Sequence, residues 1–148
     1  MLGRRNPDVY GVETQDDLTQ RVKVECDSDT EVKLVQSNHE GVLVDQLNDV
    51  VQCQYSGNPS VAGILINPAA LTHTSIALRD AIEMVVEAGI PVVEVHLSNL
   101  SAREDFRKNS LISEIVNCSV SGLGASGYSL AARKLIEIVR VNSDSRNT

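Results

Sequence analysis

Apolar residues fall along this chain in two kinds of run. The blocks Ala62-Gly-Ile-Leu-Ile66, Val92-Val-Glu-Val95 and Ile115–Val120 are short and largely aliphatic. That pattern predicts strands over 62–66, 91–96 and 115–120, with the 91–96 strand of the kind buried on both faces. Longer segments repeat apolar residues at helical spacing: Leu43, Val44, Leu47, Val50 and Val51, then Leu78, Ala81, Ile82 and Val85, then an apolar face from Tyr128 to about Val141. Thr14 with Asp16 and Asp17 reads as an N-cap and acidic first turn, opening a helix to about Cys26. Glu31 to Val35 predicts one more short strand, and Ser101 with Glu104 predicts a capped short helix. Turn formers separate these runs at 27–30, 36–41, 55–60, Asn67-Pro68, Gly89 and 122–127. Strands alternating with helices make an α/β chain with a parallel sheet. We expect a single domain over 1–141, with residues 1–12 as a loop, and a polar, disordered tail over 142–148.

Composition narrows the class. The chain has 148 residues, enough for one sizeable core, and only 3% of them are aromatic, so aliphatic side chains must fill it. A formal net charge of −7 argues against nucleic acid or an anionic membrane as the main partner. A small anionic substrate stays compatible with it, because a few arginines dominate one pocket. No apolar run approaches membrane-spanning length and no signal peptide opens the sequence. Cys26, Cys53 and Cys118 are odd in number and widely spaced, which fits neither a disulfide framework nor a zinc pattern. A reducing cytoplasm is the expected compartment.

The chemistry concentrates where the 91–96 strand ends. Glu94 and His96 are two apart and point to one side of a strand, and Ser98, Asn99, Ser101 and Arg103 follow at once. Open α/β sheets bind ligands at this carboxyl edge. If the strand ending at Asn67 is a neighbour, Asn67 and His96 face one crevice. The bland alternative is a satisfied core histidine beside an ordinary turn. Near the start, Arg4, Arg5 and Tyr10 read either as a frayed terminus or as a loop that closes over a pocket, where cations favour the phenolate. His39 and Glu40 read either as ligands or, as the better fit, as a solvated turn and N-cap. Gly122-x-Gly-x-x-Gly127 matches a dinucleotide fingerprint, but no acidic-ended strand follows it, so it reads as a tight turn.

In combination these blocks say more. Arg5 with Tyr10-Gly11, Gln36-Ser-Asn-His-Glu-Gly41, Asn67-Pro with Leu71-Thr-His-Thr-Ser75, Ala77-Leu-Arg-Asp80, Glu94-Val-His-Leu-Ser-Asn99 with Ala102-Arg-Glu, and Gly122-Leu-Gly follow in this order. The series closely resembles the type II 3-dehydroquinate dehydratases over about residues 2 to 140. The resemblance implies a flavodoxin-like, doubly wound parallel sheet in three layers, α/β/α. It implies reversible dehydration of 3-dehydroquinate to 3-dehydroshikimate by anti elimination through an enolate, with no metal and no organic cofactor. In that likeness Tyr10 is the base at C2, Arg5 the cation that favours its phenolate, and His96 the acid for the departing hydroxyl, oriented by Glu94. Asn67, His73, Leu97, Ser98 and Arg103 match substrate-binding positions, Arg103 at the carboxylate end. Asp80 matches a residue that reaches a neighbouring subunit, in a homo-oligomer of trimers grouped as a dodecamer.

The sequence also departs from that family. The family has a buried strand and an Asn-Gly-Pro-Asn loop before the Leu-Gly turn, where this sequence begins at Met1-Leu-Gly. The expectation is that either the sequence is truncated here or the protein is compromised, and that this chain is less stable and less active than a version carrying the segment. Ala69-Ala70 stand where the family usually has Gly, and Lys108-Asn109 and Leu111 where it often has His-His and Tyr. Two other readings compete: a weakly active or inactive relative serving as an oligomeric or regulatory subunit, and a flavin- or nucleotide-binding module resting on 122–127.

Overall fold

The computed structural model describes residues 13–146. Its centre is a three-stranded parallel sheet, β1 (Ile64–Ile66), β2 (Val92–His96) and β3 (Cys118–Ser121), in that spatial order. The register pairs Ile64 with Val92 and Ile66 with Glu94, and on the other side Val93 with Cys118 and His96 with Ser121. The strand over 91–96 is therefore the central one, and all five of its residues are buried.

Side-chain alternation along β2 divides the core. Val92 packs with Leu47 and Val51 of α2 (Glu40–Tyr55) and with Leu78, Ala81, Ile82 and Val85 of α3 (Ile76–Glu87). Val93 and Val95 turn to the opposite face and pack with Ala131, Leu135 and Ile138 of α5 (Ser126–Arg146). Leu18 of α1 (Gln15–Glu25) joins Leu97, Ala125 and Tyr128 on that same side. The result is three layers, α2 and α3, then the sheet, then α1 and α5, which is the doubly wound arrangement expected. Val92, Val93 and Val95 have no exposed surface, and each contributes about 1.5–3 kcal/mol by burial.

Local signals set the helix ends. Thr14 and Asp17 form a reciprocal capping box, with Asp17 N–H on Thr14 Oγ1 at 3.3 Å and Thr14 N–H on Asp17 Oδ2 at 2.8 Å. Arg133 of α5 clasps Glu25 of α1 by two bonds of 2.7 and 3.0 Å. Ser75 Oγ accepts from Leu78 N–H at 2.8 Å and starts α3. Gly89 ends it at φ +81°, where a side chain is strained.

The structure corrects four local expectations. Residues 31–35 form no strand and pair with none of the described strands, and Leu34 and Val35 are exposed. β-Propensity without a neighbouring ladder does not make a strand. The short helix is capped differently: Asn99 Oδ1 accepts from Ser101 N–H at 3.1 Å, giving a 3₁₀ turn over Leu100–Ala102 ahead of α4 (Asp105–Lys108). Ser101 supplies the amide and Asn99 the cap. The third strand starts at Cys118, because a turn bond from Ile115 N–H to Ile112 O occupies the residues before it. Helix α5 runs on to Arg146, past the expected end near Val141. No Gly or Pro interrupts 142–146, and Ser143 and Ser145 bond back to Val139 O and Val141 O, each at 2.9 Å.

Candidate active site

The site is built on the carboxyl end of β2. Glu94 and His96 share one face of the strand, the face toward α3, and Glu94 Oε1 lies 2.7 Å from His96 Nε2. An ionised carboxylate only accepts, so Nε2 carries the hydrogen and Nδ1 is left to exchange a proton. Glu94 has no exposed surface and His96 is 4% exposed. A buried carboxylate needs donors, and the loop after α4 supplies them. Ser110 Oγ donates to Glu94 Oε1 at 2.8 Å and Ser113 Oγ to Oε2 at 2.5 Å. Burial opposes ionisation of Glu94, but the hydrogen bonds from His96, Ser113 and Ser110 and the charge of His96 outweigh it and hold the pKa at about 2. The expected role of Glu94 as the partner of His96 therefore has its geometry.

Beyond the strand the chain turns sharply. Leu97 is buried, and Gly122 N–H and Gly124 N–H donate to His96 O and Leu97 O at 3.3 and 3.0 Å. Gly122 sits at φ +82°, and a Cβ there would meet Asn99 Cβ at 3.0 Å. The Gly-x-Gly-x-x-Gly segment thus braces the 97–99 turn by close backbone approach. Ser98 Oγ accepts from Arg103 Nη1 at 3.1 Å, and Arg103 Nε lies 3.3 Å from Glu104 Oε2. A guanidinium and a hydroxyl are thereby held together beside the histidine, a pairing suited to a carboxylate ligand.

Asn67 follows β1 directly and stands one residue beyond the pair Ile66–Glu94, so the two strand ends are neighbours as expected. Its Oδ1 accepts from Ala69 N–H at 3.1 Å and its Nδ2 donates to Tyr128 Oη at 2.7 Å. Burial pushes the Tyr128 phenol up, opposed by the bond from Asn67, so this phenol is no base near neutrality. Ala69 has φ +54°, the left-handed region, which accounts for the family's glycine in this turn. His73 ends the 3₁₀ turn Ala69–His73, and its Nδ1 lies 2.6 Å from Asn109 O. Leu111 N–H donates to Thr72 O at 2.9 Å, so the 109–113 loop is stitched to this turn as well as to Glu94. Asp80 is exposed on α3, 3.6 Å from Arg79 Nη1.

The structure thus brings Glu94, His96, Leu97, Ser98, Arg103 and Asn67 to one sheet edge, and links His73 to it through Asn109. Asp80 stands apart on the helix surface. Arg5 and Tyr10 lie outside the described residues. Ser110, Ser113 and Tyr128 were not singled out as site residues by their sequence, and Asn109 only as a departure from the family's pattern. Only the need of buried Glu94 for donors hints at the serines, and nothing local says which hydroxyls serve. Among the described residues, no three His, Cys, Asp or Glu side chains form a metal-binding group, and no helix is long and apolar enough to cross a membrane.

Fold and site define a doubly wound α/β protein with a buried, hydrogen-bonded Glu–His pair and an arginine at the carboxyl edge of its sheet. A family profile described as dehydroquinase class II matches residues 1–136. A 3-dehydroquinate dehydratase of Gloeobacter violaceus is 44% identical over 142 residues, covering 95% of this chain and 82% of that protein. One from Bacillus licheniformis is 47% identical over 131 residues, covering 88% and 83%. The crystal structure of a type II dehydroquinase from Butyrivibrio crossotus superposes with a TM-score of 0.77 at 36% identity, covering 94% of this chain and 88% of that one. The chain belongs to the class II dehydroquinase family.

Proposed function

We propose that this chain is a hydro-lyase that dehydrates 3-dehydroquinate to 3-dehydroshikimate in the shikimate pathway. The observation that carries the reading is the buried Glu94–His96 pair, 2.7 Å apart, at the strand end beside Ser98 and Arg103. A proton next to a ketone is too weakly acidic for an un-ionised phenol to remove, so the base has to be a phenolate and the enolate has to be stabilised. Tyr10 is that base and Arg5 the cation that favours its ionised form. Hydroxide leaves poorly, so an acid must act at the other end of the elimination. His96 gives its Nδ1 proton to the departing hydroxyl, and Glu94 steadies the ring through Nε2–H. Arg103 and Ser98 take the substrate carboxylate, Leu97 contributes at the turn, and Asn67 and His73 bind substrate oxygens. Residues 1–141 form the catalytic domain, with α5 continuing beyond them to Arg146.

The enzyme works as a homo-oligomer, and Asp80 serves the site of a neighbouring copy, in trimers grouped as a dodecamer. In support, Ile76, Asp80 and Met84 recur at four-residue spacing on α3 and all three are exposed. Apolar side chains on one outward stripe favour burial against a second chain. We place the enzyme in the cytoplasm.

The experiment follows formation of the enone product by ultraviolet absorbance. Tyr10→Phe and His96→Ala are each expected to lower kcat about 100-fold or more with substrate still bound. Near-full turnover by Tyr10→Phe would remove Tyr10 from the mechanism, and near-full turnover by His96→Ala would remove His96.

A further inference from the structure

The loop after α4 touches His73 directly and reaches His96 through Glu94. Ser110 Oγ is a junction: it accepts from Ile112 N–H at 3.1 Å and Ser113 N–H at 3.0 Å, and donates to Glu94 Oε1 at 2.8 Å. Those two amides fill its lone pairs, so the hydroxyl hydrogen is directed onto Glu94. Ser113 Oγ binds the second carboxylate oxygen at 2.5 Å. One residue earlier, Asn109 O faces His73 Nδ1 at 2.6 Å, and a carbonyl there requires Nδ1 to be the protonated nitrogen. One residue later, Leu111 N–H ties the loop to Thr72 O at 2.9 Å. Four of the five residues 109–113 therefore link the turn after β1 to the carboxylate on β2.

We propose that residues 109–113 are a positioning bracket for the reaction, in which Ser110 and Ser113 hold the Glu94 carboxylate against His96 Nε2 while Asn109 O fixes the tautomer of His73. The serines and the Asn109 carbonyl touch no substrate and act through Glu94 and the two rings. This inference rests on the role given above to His96. The bracket supplies what β2 cannot. With His96 on one carboxylate oxygen only, Glu94 would be free to rotate about its last torsion and carry the imidazole with it. A serine on each oxygen locks the carboxylate plane. Among the described residues, the titratable group in contact with that carboxylate is His96, on the same strand, and the other groups on it, Ser110 and Ser113, are neutral.

The test uses the full chain with Ser110→Ala, Ser113→Ala and, as the conservative pair, Ser110→Thr and Ser113→Thr. Two readouts are taken. Carboxyl-carbon NMR titration of Glu94 reads the bracket without turnover, and kcat against pH reads its use. Each Ala variant is expected to titrate Glu94 at higher pH than the parent and to lose kcat about 10-fold, with KM changed much less. The Thr variants keep the hydroxyl and should restore both values. Ring-nitrogen NMR should show His73 in its Nδ1–H form in every variant that folds. If an Ala variant does not fold, its Thr counterpart decides: a folded Thr variant whose Glu94 titration departs from the parent as far as removal of a hydroxyl predicts overturns the bracket. So do folded Ala variants with an unmoved Glu94 titration, or a His73 ring protonated at Nε2 alone. A moved Glu94 titration with unmoved kcat would overturn the bracket's part in the reaction, whereas the acid role of His96 itself stands or falls with His96→Ala.

Discussion

Two strand ends meet at this site and are held in different ways. Glu94 and His96 on β2 are buried, and the described partners of their side chains are themselves side chains, two of them from a loop 16 and 19 residues further along. Asn67, after β1, is exposed and held by one backbone amide and one phenol. The first corner carries a formal charge out of water, and the second a neutral amide at its edge. A buried charge is costly to leave unpaired, whereas an exposed amide exchanges its bonds for water at little cost. The acid end of the site should therefore be the brittle one and the amide end the tolerant one.

The sharpest way to break this contrast is at Glu94. Glu94→Ala takes the acceptor from His96 Nε2–H and from two serine hydroxyls at once, and leaves a void. We expect a loss of about 3 kcal/mol in unfolding free energy by denaturant titration, larger than any single substitution at Asn67. Glu94→Gln keeps the volume and an oxygen for His96 but discards the charge, so it should retain most stability while kcat falls about 10-fold or more. Equal stability of Glu94→Ala and Asn67→Ala would abolish the distinction.

Acid sharpens it further. The folded Glu94 pKa of about 2 is below the ordinary 4.5. A depressed carboxylate adds stability that is fully present above the ordinary value and is lost as pH falls through the folded one. The parent should therefore lose stability between about pH 4.5 and 2 more steeply than Glu94→Gln, which has no such group to protonate. Parallel stability–pH curves for the two proteins would show that Glu94 is not held as described.

Much of this was legible in residue order, and the exceptions have physical causes. The run Val92-Val-Glu-Val95 and the pair Glu94, His96 located a buried strand and its candidate edge, because β-branched residues at 92, 93 and 95 and a spacing of two need no tertiary information, whereas its central place in the sheet does. Glu31–Val35 has similar propensity, but it has no strand beside it among the described residues, and its outcome depends on a partner rather than on itself. Ser110 and Ser113 were invisible for a related reason: their work is done on a carboxylate far away in sequence. Tyr128 resembled any apolar helix residue until the fold brought its hydroxyl to Asn67. Long-range pairing is what the one-dimensional pattern lacks.

The smallest effect lies at the tolerant corner. Ala69 holds φ +54°, a conformation that costs an L-residue roughly 1 kcal/mol and costs glycine almost nothing. Its N–H is spent on Asn67 Oδ1 at 3.1 Å, so the turn cannot relax without releasing the amide that faces the site. Ala69→Gly removes the strain and keeps the bond, but it also loosens the unfolded chain, which offsets part of the gain. The expected net is a stabilisation of at most about 1 kcal/mol, read as a melting temperature about 3 °C higher or less. Turnover should stay within about two-fold of the parent, because neither Asn67 nor its bond to Tyr128 changes. A lower melting temperature would mean that the left-handed backbone at Ala69 carries no strain. A large change in kcat would mean that the Asn67 corner is as finely set as the glutamate corner, and the contrast between the two would fail.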